Sequence, residues 1–405
     1  MAARTTAGTG AAAPRTGENK SDEQRADAPG ASGRGADGAA RTRVAVVGTG
    51  GVSGLHAEAV AAADDLELVG CADPDAGRVA DFAGRWGAPV AAASLEEMLD
   101  RLQEAGGVDV VALCSPPWLH AEQAVACLER DVTALVEKPV ALSLAQLDEV
   151  AAAEAASRGW CATVAQHRFG GRAVGVREML RRGDLGRVDV ALCETLWYRP
   201  DAYFAVPWRG RWDSEGGGPT MGHGIHQVDL LLSLAGPWRS VTARAARRAR
   251  PTETEDVSTA TVELEDGGLA VVVSSVLCAR ETSRVRLDCE RGTVELEHLY
   301  GYDDEDWTLT PAPGRAEELA PAWAATAGGG PSGHAAQYRE VRRALLEGRP
   351  PPVTTADARS TLELAAALYA SAATGATVAR GEVDAASPFH ASMRGGAEPG
   401  WSAGG

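Results

Sequence analysis

From Arg43 onward the chain repeats one pattern: a short apolar run, a turn marked by glycine, proline or an acidic residue, then a stretch with helical spacing. Val44-Ala45-Val46-Val47 runs into glycines, and Glu67 to Asp73 ends on an acid. Val108 to Cys114 ends at Ser115-Pro116-Pro117, and Thr133 to Val136 ends at Glu137-Lys138-Pro139. Trp160 to Gln166 reads as a sixth strand. The spacing predicts helices between these runs, as over Leu142–Ser157. Strands alternating with helices define a parallel, doubly wound α/β sheet.

After about residue 168 the pattern changes. Val188–Tyr198, Val257–Leu264, Leu269–Cys278 and Val285–Leu296 are long alternating segments, with Glu265-Asp266-Gly267-Gly268 and Glu290-Arg291-Gly292 where hairpin turns belong. This predicts an open, mostly antiparallel sheet with one covered face. Helical stretches over His334–Leu346 and Ala356–Ala373 close the ordered part. The expected organisation is a first domain over 43–165 and a second over 166–381, whose final helices return toward the first. From Ala2 to Thr42 there is no Val, Ile, Leu, Phe, Tyr, Trp or Cys, so residues 1–42 are expected to be disordered, and without an apolar core they do not read as a secretory signal. The Gly-, Ala- and Ser-rich end, 382–405, is expected to be a flexible tail.

Composition narrows the class further. The formal net charge of −17 argues against nucleic-acid partners. No apolar run approaches the roughly 20 residues that span a bilayer, so no membrane partner is expected. The seven cysteines are scattered with neither CxxC nor zinc spacing, which predicts reduced thiols, a cytoplasmic location and no metal.

Gly48-Thr49-Gly50-Gly51-Val52-Ser53-Gly54 follows a strand and opens a helix. Glycines let a backbone approach a pyrophosphate, and the helix N-terminus offers free N–H groups and the positive end of its dipole. Ser53 takes the place of the third glycine and still permits close helix–strand packing. Asp73 ends the next strand, 25 residues after Gly48, where a carboxylate accepts from ribose hydroxyls. Together these predict a dinucleotide site formed by Gly48, Gly50, Gly51, Val52 and Asp73. The Asp73 carboxylate favours NAD over NADP, with NADP left open because Arg78 lies nearby.

With Glu137-Lys138-Pro139 the set resembles the glucose–fructose oxidoreductase / inositol dehydrogenase / MocA (Gfo/Idh/MocA) family. The matching pieces are Gly48-x-Gly50-x-x-Ser53-x-x-His56, Asp73, Ser115-Pro116-Pro117-x-x-His120, Glu137-Lys138-Pro139, Gln166-x-Arg168-Phe169 and Gly217-Gly218-x-x-x-Gly222-x-Gly224-Ile225-His226-x-x-Asp229. The resemblance covers roughly residues 43–380. It implies an N-terminal Rossmann domain and a C-terminal α/β domain with an open mixed sheet. It also implies an NAD(P)-dependent oxidoreductase of polyols, sugars or nucleotide sugars, a small-molecule substrate, and a homodimer or homotetramer.

Oxidising a secondary alcohol moves a hydride to the nicotinamide and a proton to a base. Lys138, at the carboxyl edge of a parallel strand, can donate to the substrate oxygen, a role the resemblance assigns to it. His226 is the best proton acceptor, because imidazole exchanges protons near neutrality. Asp229, three residues on, shares its helix face and orients the ring or holds a substrate hydroxyl. By resemblance the Ser115-Pro116 loop with His120 faces the nicotinamide, and Arg168 points into the cleft; His120 also reads as a plain helix-start residue. Glu137 reads equally as a partner of the nicotinamide ribose or Lys138 and as structural, while His56 reads as packing. Trp208 and Arg209, in Trp208-Arg209-Gly210-Arg211-Trp212, form a candidate substrate loop, because aromatic faces stack on sugar rings; surface packing is the alternative. The basic run Arg244, Arg247, Arg248 and Arg250 reads as solvated strand and turn.

One departure stands out. Many members of the family carry an aspartate four residues before the histidine, where this chain has Gly222 and, beside it, His223. Either His226 works alone, or His223 or Asp229 substitutes. Two further readings follow from the same fold: a regulator that senses NAD and a sugar without turnover, and a glycosidase that recycles NAD within each turnover.

Overall fold

The computed structural model describes residues 40–396. Six parallel strands form the first sheet: β1 (Thr42–Val47), β2 (Leu66–Ala72), β3 (Val90–Ala92), β4 (Val110–Leu113), β5 (Thr133–Val136) and β6 (Cys161–Thr163). Their order is β3-β2-β1-β4-β5-β6. β4 and β5 are buried along their whole length, as continuous apolar runs between two helical layers must be. The order reverses between β1 and β4, and open α/β sheets bind ligands beyond the carboxyl ends of the strands at such a point.

Local signals set the helix ends. The Asp75 carboxylate accepts from the N–H groups of Gly77 and Arg78 at the start of Ala76–Trp86. Ser94 and Ser143 cap Leu95–Glu104 and Leu144–Ala156 in the same way, and Thr354 with Asp357 forms a capping box on Thr355–Thr374. The helix Ser53–Ala61, behind the glycine loop, carries no side-chain cap.

The second sheet has eight strands: β7 (Val188–Tyr198), β8 (Trp238–Ala246), β9 (Val257–Leu264), β10 (Leu269–Ser275), β11 (Leu277–Cys289), β12 (Gly292–His298), β13 (Trp307–Pro311) and β14 (Val378–Ala379). They run in the order β13-β12-β11-β7-β10-β9-β8-β14. Only β7 and β10 pair in parallel; every other neighbour is antiparallel. The fold class is therefore the expected one. The helices Ile225–Ala235 and Thr355–Thr374 cover one face. The other carries exposed Val190, Leu269 and Val271. His334–Leu346 crosses back to Ser53–Ala61, so that Tyr338 and Val341 share a core with Val44, Val60 and Leu135.

The structure departs from the expected elements at several places. The first strand begins at Thr42, one residue early, and Arg41 before it donates to the Asp64 carbonyl; residues 1–39 of the expected disordered segment lie outside the described residues. β6 is only three residues long, because a 3₁₀ turn begins at Gln166. The segment Leu269–Cys278 is divided between β10 and β11. The tail expected to be flexible from residue 382 packs instead through residue 396: Pro388–Ala391 is a helical turn, and Val383, Phe389 and Met393 are buried. His390 Nε2 lies 2.9 Å from an Asp148 carboxylate oxygen. Three large apolar side chains outweigh the ordering cost of an otherwise small-residue segment; residues 397–405 lie outside the described residues. Among the described residues no helix is long and apolar enough to cross a membrane.

Phe389→Ala removes a buried ring from this segment and should destabilise the protein by about 3 kcal/mol. Calorimetry should show Tm lower by several degrees, with NADH affinity retained; an unchanged Tm would mean that the C-terminal segment contributes nothing to stability.

Candidate active site

A cleft of about 1010 Å³ opens beyond the carboxyl ends of β1, β4 and β5 and continues under the second sheet. Of the residues expected at the nucleotide end, Gly48, Gly50, Gly51, Val52 and Asp73 line it. Gly48 has φ +83°, and a Cβ there would lie 2.5 Å from the Ser115 nitrogen, so the β1 and β4 loops meet only because the side chain is absent. At Gly50 and Gly51 a Cβ would meet nothing within 4 Å. That open backbone, with the uncapped helix behind it, fits a dinucleotide pyrophosphate.

Asp73 is buried but well supplied with donors. It accepts from Thr49 N and Asp75 N, both at 2.9 Å, from the Thr49 hydroxyl at 3.1 Å and from Arg78 at 2.8 Å. Burial pushes its pKa up, but these hydrogen bonds, the Arg78 one foremost, outweigh it and hold the carboxyl below its usual range.

Ser115, Pro116, His120, Glu137 and Lys138 line the middle of the cleft. The His120 ring is braced between backbone carbonyls, Nδ1 to Pro139 at 2.7 Å and Nε2 to Ser115 at 2.8 Å. It therefore ties the β4 and β5 loops together. Glu137 Oε1 accepts from His56 Nε2 and His334 Nε2, both at 3.1 Å, and Oε2 accepts from Lys138 N at 3.2 Å. His56 Nδ1 lies 2.9 Å from the Tyr338 hydroxyl. Burial opposes ionisation of Glu137, yet its two imidazole partners hold its pKa well below the usual carboxylate range.

The Lys138 ammonium reaches across the cleft and donates to the Gly222 carbonyl at 3.0 Å. Burial lowers its pKa, against the charges of Glu137 and Glu215. Gly222 lies in a π-helical turn, Thr220–Gly224, that leads into the helix Ile225–Ala235. The turn is clamped from behind by buried Glu255, which accepts from Gly218 N, Thr220 N and the Tyr369 hydroxyl. His226 lines the cleft and has no hydrogen-bond partner among the described residues; its ring packs 5.1 Å from that of His167. Burial first, then Lys138 and His167, hold its pKa well below that of a free imidazole. His223 also lines the cleft, its ring edge-on to Trp197 at 5.0 Å and its buried Nδ1 without a partner.

Two expected substrate residues lie elsewhere. Arg168 donates from Nε and Nη2 to the two Asp229 oxygens, each at 2.6 Å, and from Nη1 to Asp357 at 3.2 Å. Asp229 also accepts from Thr361. Neither residue lines the main cleft: the pair bolts the 3₁₀ turn Gln166–Phe169 to Ile225–Ala235, and Asp229 lines a small adjoining cavity shared with Lys138, His167 and His226. Trp208 and Arg209 do line the cleft, with Arg209 stacked 4.4 Å from the Trp208 ring centroid and 3.9 Å from that of Tyr203. Trp197, Arg199, Glu215, Tyr300 and His334 also line it and were not singled out from sequence. The only signal for Glu215 was an acid immediately before the glycine run at 216–218.

A Rossmann sheet with a glycine loop at its switch point, facing a strand-end lysine and an unpartnered histidine, defines a nicotinamide-dependent oxidoreductase. The description "Oxidoreductase family, NAD-binding Rossmann fold" matches residues 42–165, and "GFO/IDH/MocA C-terminal domain" matches residues 174–295. The chain belongs to the Gfo/Idh/MocA family. Among its relatives, D-glucoside 3-dehydrogenase of Escherichia coli is 27% identical over 283 residues, 64% of this chain and 78% of that protein. The WlbA dehydrogenase of Bordetella pertussis, solved with NADH and UDP-GlcNAcA, superposes with a TM-score of 0.73 at 26% identity over 84% of this chain and 98% of its own. The WlbA dehydrogenase of Chromobacterium violaceum gives a TM-score of 0.72 at 28% identity over 84% of this chain and 96% of its own.

Gly48→Ala and Gly51→Ala separate the loop's two tasks. Gly48→Ala should lower Tm, because its Cβ strikes the Ser115 backbone. Gly51→Ala should leave Tm unchanged and weaken NADH binding at least tenfold, read by nucleotide fluorescence. Equal affinity for Gly51→Ala and wild type would place the pyrophosphate elsewhere.

Proposed function

We propose that the protein oxidises a secondary alcohol of a sugar, nucleotide sugar or cyclitol with NAD, using Lys138 and His226. The observation that carries this reading is the Lys138–Gly222 hydrogen bond, which joins the end of β5 to the turn that bears His223 and leads into the helix carrying His226. Bound at the glycine loop, NAD supplies the hydride acceptor. The Lys138 ammonium donates to the substrate oxygen and stabilises the charge that grows there as the C–H bond breaks. His226, neutral and unpartnered, takes the hydroxyl proton. The reverse transfer reduces the ketone. With glycine at 222 and Asp229 held by Arg168, His226 works without a carboxylate partner. Asp73 supports NAD over NADP. The seven free thiols agree with a reducing, cytoplasmic setting. The exposed apolar strip on β7 and β10 is where a second copy would pack into a homodimer or homotetramer.

NADH formation at 340 nm with a sugar, cyclitol and nucleotide-sugar panel tests the reaction. Lys138→Ala and His226→Ala should each lower kcat/KM on the order of 10²–10⁴-fold while NADH binding persists; variants as active as wild type would remove both residues from the chemistry. In the oxidation direction His226 must be neutral. Because its pKa is lowered, kcat/KM should stay level through pH 6.5, the ordinary histidine value, and fall only in more acidic solution. A fall centred at or above that value would mean that the base is not this buried imidazole.

A further inference from the structure

The cleft has room for a carboxylate at position 222 but none is there. A Cβ on Gly222 would meet nothing within 4 Å. The other acids near Lys138 and His226 are engaged: Glu137 by His56, His334 and the Lys138 amide, and Asp229 by Arg168 and Thr361.

Glu215 is different. It closes the short helical turn Trp212–Glu215 just before the glycine run, and its side chain lines the same cleft. Oε2 accepts from Gly210 N at 2.5 Å, which fixes the carboxylate. Oε1 forms a loose ion pair with Arg209 at 3.8 Å, and no hydrogen-bond donor among the described residues reaches it. It lines the cleft together with Lys138, Gly222, His223 and His226. Burial pushes its pKa up, as for a carboxylate lacking its full complement of donors.

We propose that Glu215 is the substrate-binding carboxylate of this cleft, with Oε1 accepting a hydrogen bond from the hydroxyl next to the one oxidised. The inference rests on the oxidoreductase reading above. It narrows the substrate to a ring carrying a vicinal diol, one hydroxyl on Lys138 and His226 and its neighbour on Glu215. A deoxy or methoxy carbon at the neighbouring position leaves Oε1 without a donor and is discriminated against. The open space over Gly222 is left for the ring itself.

The test uses the full chain with methyl β-D-glucoside, UDP-glucose and myo-inositol as probes, then the mono-deoxy analogues of whichever is turned over best. Glu215→Gln and Glu215→Ala should raise KM about 10- to 100-fold, the range of one charge-assisted hydrogen bond, with a smaller effect on kcat. NADH Kd should stay within twofold of wild type. Wild type should discriminate against one deoxy analogue, and both variants should lose that discrimination. Retained discrimination or an unchanged KM overturns the assignment of Glu215 while leaving the oxidoreductase reading intact. Loss of NADH binding in both variants makes Glu215 a structural residue and also overturns it. Wild-type turnover of none of the probes counts against the oxidoreductase reading and takes this inference with it.

Discussion

The Lys138 ammonium is the constraint around which the rest of the cleft is arranged. A half-buried cation must be hydrogen-bonded, or its desolvation drives off its proton. Here the Gly222 carbonyl meets that need at 3.0 Å. A substrate oxygen arriving at Lys138 exchanges one acceptor for another, so binding adds little new desolvation. The same bond fixes the distance between two elements 84 residues apart in the chain, the end of a strand of the first sheet and a turn packed against the second. Glu255 and Tyr369 hold the turn from behind, so Gly222 stays where the lysine can reach it.

A second layer of polar contacts sets the charge at the end of β5. Glu137 stays ionised in a buried site because His56 comes from the first helix and His334 from a helix near the end of the chain. The nucleotide-binding half is thus completed by residues nearly two hundred positions downstream of the strand they serve. The three side chains satisfy one another by hydrogen bonds and leave Lys138 beside an anion. That anion raises the lysine pKa against burial, which lowers it overall.

Much of this was legible in the sequence, and the gaps have physical causes. The runs at Val44, Val108 and Thr133 announce strands because a strand buried on both faces has no polar alternate. Gly48 and Asp73 are legible because a tight loop and a ribose hydroxyl each demand one kind of side chain at one place. Three-residue β3 and two-residue β14 carry too few residues to show a period. Arg168 and Asp229 read as substrate ligands because sequence gives the charge of a side chain but not its partner, and here each is the other's. Glu215 ends a short helical turn, Arg199 follows a strand and His334 opens a helix, and the direction of each is set by tertiary packing, so no local spacing reveals them. The Gly-, Ala- and Ser-rich composition near the C-terminus conceals Phe389 and Met393, whose burial decides that segment.

The nucleotide end repeats the logic of the lysine. Asp73 has four donors, and three of them come from the glycine loop and the turn after β2, where the chain's own fold fixes them. The fourth is the Arg78 guanidinium, whose side chain is 55% exposed and so is the partner that gives way at least cost. A ribose hydroxyl that displaces Arg78 leaves Asp73 ionised with its lone pairs still filled. A 2′-phosphate in the same place would set about two negative charges against a buried carboxylate, with a single mobile arginine to offset them. The backbone donors that stabilise Asp73 as an anion are therefore what make NAD the better fit, and Arg78 moderates that preference without reversing it.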